Sequence, residues 1–175
     1  MNLKYIVMLV VFLVYQNISL PKNIQKKVDK EISETFQVET FQFIPFKVPA
    51  EISKQLPSEF GSDNFFQIQT NNKLLGYAYV SKAPSKTDQF DYLVLLDAEL
   101  VVLNAKVLVY REDYGGEIGS KRWLKQFVGK TQNDDLRYGD NIMAISGATI
   151  SVRSMTAAMN NLLQSLKILH SKEII

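Results

Sequence analysis

The stretch "FDYLVLLDAELVVLNAKVLVYRE", Phe90 to Glu112, decides the fold. Two apolar runs, Phe90–Leu96 and Leu100–Tyr110, are rich in the β-branched and aromatic residues that suit a pleated, half-buried surface. Between them lies "DAE", Asp97 to Glu99, and Asp favours turns because its carboxylate bonds nearby backbone N–H groups. The spacing predicts two long antiparallel strands joined by a tight turn. In the second strand Val101, Leu103, Ala105, Val107 and Val109 alternate with Val102, Asn104, Lys106, Leu108 and Tyr110. That alternation predicts one buried face and one mixed face.

Working outward, the residues before this stretch are also β-rich. "FFQIQT" (Phe65–Thr70) leads through "NNK" to "LLGYAYVSKA" (Leu74–Ala83), which reads as a hairpin with Asn-Asn at its turn. Further upstream, "PKNIQKKVDKEISETF" places Ile24, Val28, Ile32 and Phe36 four apart, an apolar stripe on a charged helix. "VETFQFIPFKVP" reads as an extended segment broken by Pro45 and Pro49, and "AEISKQLPSEF" as a short helix ended by Pro57. Downstream, Ser120 is placed to cap a helix carrying Trp123, Leu124 and Phe127 as core residues. "TQNDDLRYGDN" is a polar loop. A final helix begins at about Ser151, with Val152, Met155, Met159, Leu162, Leu166 and Leu169 as its packing stripe.

Composition narrows the class. The chain has 175 residues, 46% apolar and 22% charged, enough for a folded core of one domain plus a leader. A net charge of +2, with no long basic run, argues against a nucleic-acid partner. There is no cysteine and one histidine, His170. Disulfides, thiolate metal sites, iron–sulfur clusters and a cysteine nucleophile are therefore excluded. A zinc site or a His-based triad has little to draw on, and we assign no metal site. At the N-terminus Lys4 precedes the apolar run "YIVMLVVFLVY", Tyr5–Tyr15. That is the layout of an export signal, and the run is short for a membrane span. Residues 1–20 are expected to be a cleaved signal peptide, or an uncleaved anchor, since "QNIS" offers no small-residue cleavage pattern.

Two segments carry candidate chemistry. "SGATIS", Ser146 to Ser151, opens the final helix. Backbone N–H groups are free at a helix start and favour an anion, and small residues let a phosphate approach them. The alternative reading is a plain strand-to-helix turn with Thr149 or Ser151 as N-cap. Upstream, "EDYGGEIG", Glu112 to Gly119, has glycines at positions 115, 116 and 119 that permit close backbone approach.

Together with "WLKQF", these two segments resemble the FMN-binding domain family. That family includes the flavin-carrying peripheral subunits of the sodium-pumping NADH:quinone reductase and of the Rnf electron-transfer complex. Its pattern is a strand, an E-T-P-G-L-G-like loop, a Trp/Phe helix, then S-G-A-T-x-[ST]. The likeness runs from about Gly76 to Leu166, in the right order. It implies an α+β domain, a twisted antiparallel sheet with helices packed on it, here over residues 61–170. The helix and extended segment of residues 21–60 are expected to pack on that domain.

The resemblance also implies a cofactor and partners. In the family FMN is joined through its phosphate to the motif threonine, here Thr149, by a flavin transferase that uses FAD as donor. Ser146, Gly147, Ala148, Ile150 and Ser151 are implied as its surroundings. The residues Tyr114, Gly115, Gly116, Glu117, Ile118 and Gly119 are implied as the second wall, with Tyr114 as a flat face for stacking. Arg111 and Lys121 flank that loop and could face the flavin; solvated surface positions are the alternative. The sequence departs from the pattern twice. The acidic residue that the transferase prefers six places before the threonine is Met143 here, with Asp140 the nearest acid upstream. Aligned from its last glycine, the loop puts Tyr114 on the usual leading glutamate; Glu112 matches only in a longer loop.

No G-x-G-x-x-G fingerprint and no general base aimed at a substrate is visible. An electron carrier is therefore favoured over an enzyme with its own substrate. Export would place it outside the cytoplasm, periplasmic or anchored facing outward, with a membrane-bound redox partner. The alternatives are an interaction module of the same fold without covalent flavin, and a small flavin reductase with non-covalent FMN.

Overall fold

The computed structural model describes residues 20–175. Residues 1–19, with Lys4 and the Tyr5–Tyr15 run expected as signal or anchor, lie outside the described residues. Five strands form one antiparallel sheet in sequence order: β1 (Gln42–Pro45), β2 (Phe65–Thr70), β3 (Lys73–Pro84), β4 (Gln89–Asp97) and β5 (Val102–Val109). Helix α1 (Lys22–Phe36) precedes the sheet and α2 (Ala50–Ser53) falls between β1 and β2. After β5 come a 3-10 turn (Gly116–Gly119), the short helix α3 (Lys121–Leu124), a second 3-10 turn (Lys125–Phe127) and the long helix α4 (Thr149–Ser171). The fold is α+β, an open antiparallel sheet with helices on it.

The two expected strand runs pair as a hairpin, with Leu96 opposite Val102 and Leu93 opposite Lys106. Asp97 closes its turn: Oδ1 accepts from the N–H of Glu99 at 3.0 Å and of Val101 at 2.8 Å. The strict alternation expected for β5 does not hold. The ladder shifts register at Leu95/Leu96 and at Asp91/Tyr92. Each bulge adds one residue to β5 and so flips every later side chain to the other face. Val102, Ala105 and Val107 therefore join one core, while Leu108 and Val109 join the other. The Asn-Asn hairpin forms as expected, with Asn71 and Asn72 both at positive φ (48° and 60°), as a two-residue type I′ turn requires.

Helices cover both faces of the sheet. Ile24, Val28 and Ile32 of α1 pack on Phe66, Ile68, Ala78, Val80, Leu93, Leu95 and Leu108. On the other face, Val152, Met155, Met159, Leu162, Leu166 and Leu169 of α4 pack on Phe65, Tyr77, Tyr79, Phe90, Tyr92, Val94 and Leu96. Strand β4 is consequently buried from Phe90 to Leu96 without a break, which is why its sequence reads as a continuous apolar run. The mixed face expected for β5 meets α1 through polar partners. Asn104 Nδ2 donates to Glu31 Oε2 (3.1 Å) and Thr35 Oγ1 (3.2 Å), and Lys106 Nζ pairs with Glu31 Oε1 (2.8 Å). Ser120 caps α3, accepting from the N–H of Trp123 at 3.3 Å. Trp123 and Phe127 are buried edge to face, their ring centroids 5.2 Å apart. No helix among the described residues is long and apolar enough to cross a membrane.

Candidate functional site

Helix α4 opens without a side-chain cap. Gly147 bends the chain at φ +79°, a conformation that costs glycine nothing. Ala148 then takes the capping position (φ −122°, ψ 23°) and offers only a methyl group. The N-cap expected at Thr149 or Ser151 is therefore absent. The bend at Gly147 starts the helix at Thr149, two residues before the expected Ser151, so both lie inside the first turn. Thr149 is exposed, and its hydroxyl takes no part in the side-chain hydrogen bonds found among the described residues. Ser151 is buried and its Oγ lies 3.0 Å from the Tyr110 hydroxyl, tying the end of β5 to the helix start. The N–H groups of this first turn have no intrahelical acceptor and point their positive dipole end outward.

The glycine loop lies against this turn. Gly115 sits at φ +80°, and a Cβ there would come 3.0 Å from the Ala148 Cβ and 3.1 Å from the Tyr110 hydroxyl. Only glycine allows the two backbones this close. The result is an open groove of about 440 Å³, lined by Lys86, Tyr110, Glu112, Tyr114 and residues 147–151. Tyr114 is 84% exposed and Ile150 49%, so an aromatic and an aliphatic face flank the threonine hydroxyl.

Residues 86–164 match the family model of the FMN-binding domain. This segment is an FMN-binding domain. FMN is its cofactor. No curated protein matches the chain. Among solved structures, the crystal structure of Shewanella oneidensis NqrC aligns with a TM-score of 0.45 and 20% identity. The alignment covers 59% of this chain and 60% of that one.

The FMN-binding domain offers what a flavin phosphate needs. A groove of this size falls in the range of about 300–1,000 Å³ typical of small-molecule sites. Free N–H groups, small residues at 147 and 148, and an exposed ring at Tyr114 all line it or border it. Other residues implied by the resemblance are placed elsewhere. Ser146 and Glu117 line a neighbouring groove of about 340 Å³ with Trp123 and Met143. Ile118 is fully buried in the core, so its side chain gives nothing to a ligand. Gly116 stands in open space, and a Cβ added at Gly119 would meet the Val107 Cβ at 3.9 Å. Arg111 does not face the groove: its guanidinium pairs with Asp91 and donates to the Gln89 carbonyl at 2.7 Å. Lys121 lines a separate cleft with Glu31 and Glu34. Met143 is pinned by its backbone, donating to Gln126 Oε1 and accepting from Trp123 Nε1, both at 2.7 Å. Asp140 pairs with Arg137 at 2.9 Å.

Lys86, Tyr110 and Glu112 are the lining residues that sequence reading did not assign to the ligand. Glu112 accepts from the N–H and hydroxyl of Thr87 (2.6 and 2.9 Å) and from the N–H of Asp88 (3.3 Å). The Ser85 hydroxyl beside it contributes most to holding the carboxyl down to about 2, followed by the Thr87 N–H and hydroxyl. Ser85 Oγ does not meet hydrogen-bond geometry, so the Thr87 and Asp88 bonds are the ones that fix the turn. A larger groove of about 560 Å³, lined by Tyr79, Tyr92 and Asp91 among others, shares no residue with the Thr149 groove. Size alone does not single out the Thr149 groove.

Proposed function

We propose that this protein is an extracytoplasmic electron carrier whose FMN is joined through its phosphate to Thr149. The observation that carries the reading is the exposed, uncapped Thr149 hydroxyl in a groove of the FMN-binding domain, at a helix start that favours an anion. Attachment is a group transfer by a flavin transferase. The Thr149 oxygen bonds to the flavin-side phosphorus of FAD, the pyrophosphate bond breaks, and AMP leaves with the hydroxyl proton. Bound flavin supplies one- and two-electron chemistry. The chain's part is to hold it in an open groove where a membrane-bound partner can reach it. Export rests on Lys4 and the apolar Tyr5–Tyr15 run.

The test is intact mass after co-expression with a flavin transferase in the same compartment. Wild type should gain the mass of FMN minus water, and Thr149→Val should not. Valine keeps the branched shape and loses only the bond-forming oxygen. Unmodified wild type would reject the covalent link. Full-length protein found soluble in the cytoplasm of the native host would reject export.

One observation favours a second reading, a domain of this fold without covalent flavin: Met143 stands where the transferase prefers an acid. Met143→Asp discriminates. If it restores attachment to an unmodified wild type, the second reading holds for the native chain.

A further inference from the structure

The turn between β3 and β4, Ser85 to Asp88, lies far in sequence from both segments of the flavin site, yet it borders the same groove. It is fastened on two sides. Glu112, just past β5, accepts from Thr87 and Asp88. Ser154, one turn into α4, donates its hydroxyl to the Pro84 carbonyl. The turn also closes on itself, the Ser85 N–H donating to the Asp88 carbonyl at 2.8 Å. Lys86 rides on this fixed turn and lines the groove with Gly147, Ala148 and Thr149.

Lys86 is the lone Lys or Arg among the groove's lining residues. Other nearby cations are engaged: Arg111 with Asp91, and Arg153 over the Tyr138 ring at 4.8 Å. Glu112 shares the groove lining with Lys86, and Asp88 lies two residues on; both carboxylates accept from backbone N–H groups and keep their charge. Glu112 holds Thr87 and Asp88, and Asp88 Oδ1 accepts from the Gln89 N–H at 2.6 Å. Among the described residues Lys86 forms no ion pair. A lysine carried on a fastened turn beside a bare helix start, in no ion pair among the described residues, suits a phosphate, which lysine binds as a point charge.

We propose that Lys86 is the cation that holds the FMN phosphate against the start of α4, with the Ser85–Asp88 turn as the third wall of the flavin groove. The proposal rests on the reading that the Thr149 groove takes FMN. It makes Lys86 a determinant of specificity, because FMN differs from riboflavin by its phosphate alone.

The experiment uses the full chain made without a flavin transferase. FMN and riboflavin are titrated separately, following flavin fluorescence, against wild type, Lys86→Gln and Lys86→Arg. Lys86 is exposed, so these variants are expected to fold. Wild type should prefer FMN. Lys86→Gln should cut that preference about tenfold, one charge-assisted bond's worth, with riboflavin affinity unchanged. Lys86→Arg should keep most of it. Equal preference in wild type and Lys86→Gln overturns the proposal. So does a wild type with no preference for FMN that still gains FMN on co-expression, and in that case the flavin reading stands. No flavin bound in either experiment overturns both.

Discussion

Two turns sit at opposite ends of strand β4, and each is held by one carboxylate. The β4–β5 turn is closed from within: Asp97 bonds the N–H groups of Glu99 and Val101, two and four residues on. The β3–β4 turn has a bond of its own, from the Ser85 N–H to the Asp88 carbonyl, and is fastened from outside as well. Its carboxylate is Glu112, 25 positions from Thr87, and its second fastening is Ser154, 70 positions from Pro84. The first turn joins two strands. The second carries Lys86 to the Thr149 groove. A turn that closes itself can form before the rest of the sheet. One also fastened by β5 and α4 is fully held only when those elements have packed, so its position reports the assembled groove.

The largest effect should come from breaking the assembled end at its tightest contact. Gly115→Ala forces a positive φ on alanine and drives its methyl toward Ala148 and Tyr110. We expect a loss of about 2–3 kcal/mol in urea unfolding, from backbone strain plus overpacking, together with loss of FMN attachment by intact mass. A variant that keeps both would show that the two loops do not share the groove wall.

The local turn should answer differently. Asp97→Ala removes the acceptor of two N–H groups and should cost about 1–2 kcal/mol of stability. FMN attachment should be unchanged, because the turn lies at the far end of β4. Lost attachment in a folded Asp97→Ala protein would contradict the separation of the two ends.

Glu112→Gln should have a smaller effect on stability at neutral pH, since the carboxylate is exposed, and its signature is pH dependence. The carboxyl is lowered from 4.5 to about 2 by Ser85, Thr87 and Asp88. A folded-state value below the unfolded one gives stability that is complete above about pH 4.5 and lost as pH falls toward 2. The melting-temperature advantage of wild type over Glu112→Gln should therefore shrink across that window. Asp134 is also lowered, chiefly by the Thr131 N–H, but it acts alike in both proteins. A difference that stays flat across the window would mean that the charge does not hold the turn.

Gly116→Ala is the control. Gly116 has no positive φ, and a Cβ there meets nothing within 4 Å. Its stability should move by less than about 0.5 kcal/mol, with normal attachment. A large loss would mean that the loop needs a conformation at 116 that alanine cannot take.

The sequence alone determined whatever rests on near neighbours and short periods. Strand β4 and the Asp97 turn, the Asn71–Asn72 hairpin, the Ser120 cap and the buried stripe of α4 all follow from residues within a few positions of one another. The S-G-A-T segment singled out Thr149 only through its resemblance to the family pattern, since a small-residue turn before an amphipathic helix also reads as a plain helix start. Tertiary structure decided the rest. Two bulges, set by packing on both faces of the sheet, overrode the alternation read from β5. Helix α1 turned the mixed face of β5 into a second interface through Glu31 and Thr35. The cations beside the glycine loop in sequence, Arg111 and Lys121, went elsewhere, and Lys86 from a distant hairpin took the place at the groove. A charge has no period, and its neighbours are set by chain folding. Which lysine meets the helix start is therefore written only in contacts that close after the sheet and α4 have packed.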